Sequence, residues 1–499
     1  MNLPVVGDTI AAVATPPGRG GVAIVRVSGP QVVAIAEGII GRRPSPRLAT
    51  RARFLDREGG EIDNGLALFF PAPASFTGED VLELQGHGGP VVSRMVIDRV
   101  CDLGARPARA GEFTLRAFLN DRIDLAQAEA VADLIDSASE SAARSAIRSL
   151  GGEFSRTVGE HRDALVALRV FIEAAIDFPE EELDLLADPE IIRRLDALRQ
   201  ALATTLAESG KGAMLREGVR LVIAGAPNVG KSSLLNRLAR SEAAIVTDIP
   251  GTTRDPVRER LVIAGIPFEV RDTAGLRRTR DPVERIGVER AQAALEDADL
   301  ALLVFDDTSD ITDDIKSDPG KIGLGVDIFP QGSFALPERL FRKGAGILVR
   351  NKIDLSGSKP GLVEDRFSNS SSNSSLTSAK DGNPAARDPA SGAPPLPVVR
   401  VSALTGAGIA DLEEAIVKKV TDDSAGFEHA FMARRRHVSA LEKALAALDR
   451  ARSRLVEDKA GEICAEELRS AQNALAEITG AFATEDLLAE IFSGFCIGK

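Results

Sequence analysis

The chain has 499 residues, enough for about three domains that each bury a core. Its net charge of −13 and pI near 5.1 argue against nonspecific adhesion to nucleic acid or anionic membrane. No apolar stretch reaches membrane-spanning length.

Up to about Phe118 the chain shows short strand-like runs separated by glycine turns. They are Ala23-Ile24-Val25-Arg26-Val27, Leu66-Ala67-Leu68-Phe69-Phe70 and Val81-Leu82-Glu83-Leu84. From Asp121 the spacing becomes helical, with Leu125, Ala128, Val131, Ala132 and Ile135 on one face, and it stays helical to about Gly210.

A strand, Val219 to Ala224, then leads into Gly225-Ala226-Pro227-Asn228-Val229-Gly230-Lys231-Ser232, a complete G-x-x-x-x-G-K-S phosphate loop. The helical run Ser233 to Leu238 follows. Loop N–H groups and the helix start cradle phosphates there, and Lys231 adds a point charge. Next comes the switch segment Thr247-Asp248-Ile249-Pro250-Gly251-Thr252-Thr253-Arg254-Asp255. The strand Phe268 to Arg271 precedes Asp272-Thr273-Ala274-Gly275. Asp272 is expected to hold magnesium through water, with Ser232 and Thr253 as direct ligands and Gly275 allowing close approach to the γ-phosphate.

Many switch GTPases carry a glutamine directly after that motif to orient water, but here the residue is Leu276. Asn228 either braces the loop or joins Thr252 and the Thr247 and Ile249 carbonyls around a large monovalent cation. Glu284 either orients water or is a surface carboxylate.

The strand Gly346 to Arg350 runs into Asn351-Lys352-Ile353-Asp354, where the Asp354 carboxylate can accept from N1–H and the 2-amino group of guanine and so select GTP over ATP. After the strand Val398 to Val401, Ser402-Ala403-Leu404 fits a loop contacting the base from its other side. Between them, 356–397 has a Ser, Asn, Gly and Pro-rich composition and reads as a disordered insertion; a smaller lengthening covers roughly 311–334.

Helical spacing resumes at Leu441, Leu445, Leu448 and Leu455, then Leu468, Ala471, Leu475 and Ile478. The expected fold is a multidomain α/β and α protein. It has an α+β domain over 1–118, a helical domain split into 119–217 and 424–499, and an inserted Ras-like P-loop GTPase domain over 218–423. Arg434-Arg435-Arg436-His437 is either a solvated helix face or a local RNA patch. Tyr and Trp are absent, so base stacking has only Phe, His and Arg to draw on. Cys101, Cys464 and Cys496 make neither a disulfide frame nor a zinc site, and the N-terminus lacks the charged region of a signal peptide; the reading is cytoplasmic.

Further motifs lie near both ends. Asp8-Thr9-Ile10-Ala11-Ala12 precedes Ala14-Thr15-Pro16-Pro17-Gly18-Arg19-Gly20-Gly21. Gly78-Glu79-Asp80 leads to Glu83-Leu84-Gln85-Gly86-His87-Gly88-Gly89. Phe118-Leu119-Asn120-Asp121-Arg122 and Asp124-Leu125-Ala126-Gln127-Ala128-Glu129-Ala130 follow, with Phe495-Cys496-Ile497-Gly498-Lys499 last. With the GTPase motifs between them, these segments closely resemble the MnmE/TrmE family of tRNA-modification GTPases over essentially the whole chain outside the insertions.

The resemblance implies a homodimer that forms a heterotetramer with an FAD-containing MnmG (GidA) partner. It implies addition of an aminomethyl or carboxymethylaminomethyl group to C5 of the wobble uridine of certain tRNAs. The one-carbon carrier would be 5,10-methylenetetrahydrofolate, with 5-formyltetrahydrofolate as an analogue, at Arg26, Glu83, Arg122 and Lys499. Arg122 stands where some members carry lysine, which keeps the charge but changes its geometry. Each of these residues is otherwise a structural ion-pair partner.

The resemblance also assigns potassium to Asn228, Thr247, Ile249 and Thr252, magnesium to Ser232 and Thr253, and water orientation to Glu284. Two GTPase domains paired across the cation would then replace an external activator. Cys496 is a candidate nucleophile or redox thiol, or else a small buried residue packing the tail. Competing readings are an Era- or Der-like ribosome-assembly GTPase, which would account for the middle third alone, and a nucleotide-gated noncatalytic scaffold.

Overall fold

A computed structural model of the chain describes residues 7–177, 189–226, 228–241, 259–272, 298–308, 345–363, 396–421, 430–457, 460–481 and 484–498. Two compact units partition it: Met1–Asp136, Ala146–Ser209 and Arg434–Lys499 form one, Ser137–Ser145 and Gly210–Ala433 the other.

The first unit opens with β1 (Ile10–Val13), β2 (Gly20–Ser28), helix α1 (Val32–Ile40), β3 (Thr50–Leu55), β4 (Glu61–Phe70), β5 (Val81–Gly88), α2 (Pro90–Asp102) and β6 (Arg106–Pro107). The sheet order is β3-β4-β5-β2-β1-β6. Every neighbouring pair is antiparallel except β1 with β6. Alternation along β2 sends Val25 and Val27 to one face, where Phe54, Phe69, Leu82 and Leu84 meet Val32, Ile35 and Ile39 of α1 and Val96 and Val100 of α2. The three strand-like runs of the sequence are β2, β4 and β5. The short β1 and the polar β3, TRARFL, carry too weak an apolar signal to read. Ile10, Ala12, Ala108 and Phe113 cluster separately, Phe113 being supplied by α3 (Glu112–Leu119).

Helix α4 (Leu125–Ile135) begins at a capping box: the Asp124 side chain accepts from Gln127 N–H at 2.9 Å, and the Gln127 side chain accepts from Asp124 N–H at 3.0 Å. Its inner face differs from the expected one. Ile135 is 46% exposed, whereas Ala126, Glu129, Ala130 and Asp133 are buried beside Leu125 and Ala128. Apolar spacing carries no signal for burying Glu129 and Asp133, because their partners are distant in sequence.

The chain continues through α5 (Glu140–Leu150), α6 (Glu153–Asp177), α7 (Pro189–Glu217) and α8 (Lys231–Ser241). Later helices are α9 (Ile353–Ser356), α10 (Ile409–Thr421), α11 (Arg435–Val456), α12 (Gly461–Thr479) and α13 (Glu485–Ser493). Leu441, Leu448 and Leu455 of α11 and Leu468, Ala471, Leu475 and Ile478 of α12 are buried, as their spacing predicts, and α12 packs on both α11 and α6.

The basic segment at the start of α11 is a correction. Arg434, Arg436 and His437 are neither a solvated face nor a free RNA patch, and Arg435 between them is exposed. Arg436 donates to both Glu129 oxygens at 2.8 and 2.6 Å, Arg434 donates to Asp133 at 3.0 Å, and His437 Nε2 lies 2.8 Å from Glu129. Burial pushes the Glu129 carboxyl upward, but the His437 and Arg436 hydrogen bonds outweigh it and hold the group well below the carboxylate range. Burial lowers the His437 pKa, and the ring accepts from Arg434 N–H at Nδ1, 3.1 Å away, while its Nε2 faces the Glu129 carboxylate.

The second unit holds β7 (Val219–Gly225), β8 (Glu259–Ile263), β9 (Ile266–Asp272), β10 (Leu300–Asp306), β11 (Gly346–Asn351), β12 (Gly361–Val363) and β13 (Val398–Arg400) in the order β12-β13-β11-β10-β7-β9-β8. The strands from β13 to β9 run parallel, with β12 and β8 antiparallel at the edges. Leu221 and Ile223 face a core with Leu234 and Leu238 of α8 and Leu412 and Ile416 of α10, while Val222 and Ala224 face a second core with Leu303 and Leu348. Burial on both faces explains the nearly continuous apolar runs.

The insertion is narrower than its composition suggests. Ser356 ends α9, Gly361–Val363 is the edge strand β12, and Leu396 is buried against Leu348 and its neighbours, so both ends belong to the fold. Residues 364–395 and the lengthening at 311–334 lie outside the described residues. No helix among the described residues is long and apolar enough to cross a membrane.

Val363 pairs directly with Val398, so the two ends of the insertion already meet across a strand pair. Deleting 366–394 should therefore leave the thermal midpoint and GTP affinity nearly unchanged, since each doubling of loop length costs only ~0.6 kcal/mol. Loss of soluble expression would show that the segment carries structure of its own.

Candidate active site

Strand β7 ends at Gly225 and α8 starts at Lys231, so the phosphate loop spans a parallel strand and the following helix. A Cβ on Gly225 would lie 2.3 Å from the Val304 carbonyl, which explains its glycine: the strand end packs against β10. Asn228 and Gly230 both have positive φ, 65° and 95°, and a Cβ on Gly230 would sit 2.2 Å from Asn351 Nδ2. Turns of this kind gather backbone N–H groups into an anion-binding concavity. Lys231 Nζ donates to the Gly225 and Ala226 carbonyls at 3.0 and 2.9 Å, which keeps its charge at the loop. Ser232 and Ser233 lie exposed in the first turn of α8.

Asn351 is the hinge pin of the site. Its buried amide donates to the Val229 carbonyl at 2.8 Å and accepts from Ala403 N–H at 3.0 Å, joining the phosphate loop to the loop after β13. Lys352 takes a left-handed conformation (φ 67°) and donates to Asp306 at 2.7 Å. Burial raises the Asp306 carboxyl, but hydrogen bonds from Lys352 and Thr308 prevail and lower it. Asp354 accepts from Ser402 Oγ at 2.5 Å, so the two base-reading segments meet at one carboxylate. All of this lies past the carboxyl ends of parallel strands, where open α/β sheets bind ligands.

Asp272 closes β9. Thr247, Asp248, Ile249, Pro250, Gly251, Thr252, Thr253, Thr273, Ala274, Gly275 and Glu284 lie outside the described residues, as does Lys499. Among the described residues no cluster of three or more His, Cys, Asp or Glu could hold a metal.

The N-terminal candidates also have defined places. Arg26 and Glu83 are direct partners across β2 and β5, with Nε and Nη2 of Arg26 donating to one Glu83 oxygen at 3.0 and 2.9 Å. The guanidinium sits 5.8 Å from the Phe113 ring centroid, within cation–π range. Arg122 is exposed, and a Cβ on Gly78 would lie 3.2 Å from its stem. The chain end runs alongside: Gly111 N–H donates to the Cys496 carbonyl at 3.4 Å, Ala110 bridges Ile497, and a Cβ on Gly498 would lie 2.4 Å from the Val13 carbonyl. Phe492 and Phe495 pack with Leu115 and Leu125 to hold it. Cys496 is exposed, which overturns the reading of it as a buried packing residue.

One network behind this region was not read from the sequence. Arg116, nearly buried, pairs with Asp8, Glu79 and Glu112, and Arg106 pairs with Asp8 and Glu112. Burial raises Glu112, but Arg106 and the Arg109 N–H lower it overall. The network braces α3, and with it Phe113 beneath Arg26. Asp8 and Glu79 fall within recognisable motifs, but nothing local in them announces a shared arginine.

A phosphate loop opening a helix on a parallel sheet, tied through Asn351 to a carboxylate on the base side, defines a P-loop GTPase. Beyond that class, the family model described as "GTP-binding protein TrmE N-terminus" matches residues 9–122, and "MnmE helical domain" matches 125–496. The tRNA modification GTPase MnmE of Chromohalobacter salexigens is 50% identical over 99% of this chain and 98% of its own length. Those of Pseudomonas paraeruginosa and Nitrosomonas europaea are 51% and 49% identical, each over 99% of both chains. The chain belongs to the MnmE family.

Replacing Asp354 by Asn should weaken GTP and favour xanthosine triphosphate. Ser402 would keep the amide oxygen, leaving the NH2 as a donor where guanine also donates. Competition binding with both nucleotides checks this; unchanged GTP affinity with no gain for xanthosine triphosphate would remove Asp354 from base selection.

Proposed function

We propose that this protein is a potassium-stimulated GTPase that acts in tRNA modification. As a cytoplasmic homodimer with an FAD-containing MnmG-type partner, it adds a folate-derived aminomethyl or carboxymethylaminomethyl group to C5 of the wobble uridine. The observation that carries this reading is the joint presence of the Asn351-linked nucleotide site, the Arg26–Glu83 pair and a chain-end segment, bearing exposed Cys496, that packs on β1 of the same sheet. An Era- or Der-like role accounts for the nucleotide site alone and leaves the family match over 9–122 without purpose.

The residues suit their parts. Lys231 and the loop N–H groups bind the phosphates, Asp354 reads the base, and Ser232 and Thr253 would hold magnesium. Leu276 cannot orient water, so Glu284 takes that part. A potassium ion held by Asn228, Thr247, Ile249 and Thr252 would supply the positive charge that an arginine finger supplies elsewhere. Asn228 fits: it is exposed in the loop, with a left-handed backbone, three residues before α8 begins. At the other site, Arg26, Arg122 and Lys499 would pair with the glutamate tail of 5,10-methylenetetrahydrofolate and Glu83 with the pterin amino group. Cys496, exposed near the chain end, would act as nucleophile or redox thiol toward what binds there.

GTP turnover should rise with potassium but not sodium, and with protein concentration, as paired GTPase domains require. Asn228→Ala should abolish the potassium response while nucleotide binding persists. Equal rates in the two salts would end this part of the proposal.

Calorimetry with 5-formyltetrahydrofolate should show binding that Arg26→Glu weakens at least about tenfold, the order expected for turning a charge-assisted contact into repulsion, with GTP binding untouched. Mass spectrometry of wobble uridines from cells carrying Cys496→Ser should show the modification lost; normal levels would make the thiol structural.

A further inference from the structure

Helix α8 does more than begin at the phosphates. Two turns after Lys231, Arg237 reaches the loop that follows β13: its Nε donates to the Ala403 carbonyl at 3.1 Å and its Nη2 to the Leu404 carbonyl. Beneath the guanidinium lies Gly406 (φ 90°), where a Cβ would come 3.6 Å from Cζ. The loop itself is short and tightly turned, with Ser402 N–H donating to Ala407 and Gly406 N–H to Ser402. Leu404 is 77% exposed, so its side chain contributes little burial to anchor the loop.

Three side chains therefore set the position of Ser402-Ala403-Leu404. Ser402 is held to Asp354, and Asn351 takes the Ala403 N–H. Arg237 takes the carbonyls of the next two peptides, those of Ala403 and Leu404. A planar guanidinium that spans two successive carbonyls fixes their orientation in a way a single donor cannot. The same helix carries Lys231 and Ser232 at its start, so Arg237 couples the phosphate end of the site to its base end through one rigid element.

We propose that Arg237 is a positioning residue for guanine binding: it holds the Ser402–Leu404 loop at the height the base requires without touching the nucleotide. Its removal should act on the base end and spare the phosphate end. In the full-length protein, Arg237→Ala should weaken a fluorescent GDP analogue by about tenfold, about the worth of one hydrogen bond to a charged group, since the loop keeps its Asn351 and Asp354 contacts. KM for GTP should rise by a similar factor, with kcat at saturation changed by less than about twofold. Arg237→Lys, able to reach one carbonyl but not both, should recover part of the affinity.

Inorganic tripolyphosphate, which lacks a base, serves as the control; its competition against the GDP analogue should yield the same inhibition constant in wild type and Arg237→Ala. Wild-type GDP affinity in Arg237→Ala overturns the proposal. So does a parallel loss for tripolyphosphate, which would mean that α8 itself had been disturbed. Failure of Arg237→Lys to recover any affinity also counts against it. Wild-type protein that does not bind GDP would sink the nucleotide site itself.

Discussion

The buried Asn351 amide joins parts of the chain that arrive from three strands. Val229 follows β7, Ala403 follows β13, and Asn351 itself ends β11. A buried amide with both ends hydrogen-bonded is stable, but one end left open costs roughly 1–3 kcal/mol. The phosphate loop and base loop are consequently held in register with each other. The glycine at 230 follows from the same contact, since any Cβ there would strike the amide.

Around this link the second unit uses apolar packing on both sheet faces, and the first unit adds clusters of several buried charges. Arg116 and Glu129 are each buried with several ionic partners. Such clusters gain little net stability over apolar packing, but losing one partner strands a charge and costs about 3–5 kcal/mol. Their effect is geometric. The Glu129 cluster locks α4 to the start of α11, and the Arg116 cluster fixes α3 beside β1.

Those two clusters join chain segments far apart in sequence. Glu129 meets Arg436 and His437, and Asp8 meets Arg106 and Arg116. The chain end is treated the same way, with Gly498 pressed on Val13 and Phe495 tucked beside Leu115. The N-terminal sheet and the final segment thus form one structural neighbourhood, with the exposed Cys496 held at Gly111, just before α3.

The sequence by itself determined the nucleotide chemistry, because a phosphate loop depends on contiguous backbone and a fixed glycine and lysine spacing, and Asn351 to Asp354 work within one turn. Strands β2, β4, β5, β7, β9, β11 and β13 were legible for a similar reason: burial leaves a local apolar record. The tertiary structure decided what depends on remote partners. It turned Arg434, Arg436 and His437 from an apparent surface patch into a half-buried cluster around Glu129, and rotated α4 so that Glu129 faces inward and Ile135 outward. It also assigned Gly361–Val363 and Leu396 to the sheet despite their low-complexity surroundings, and exposed Cys496. In each case the deciding group lies on another element, and side-chain periodicity carries no information about a partner hundreds of residues away.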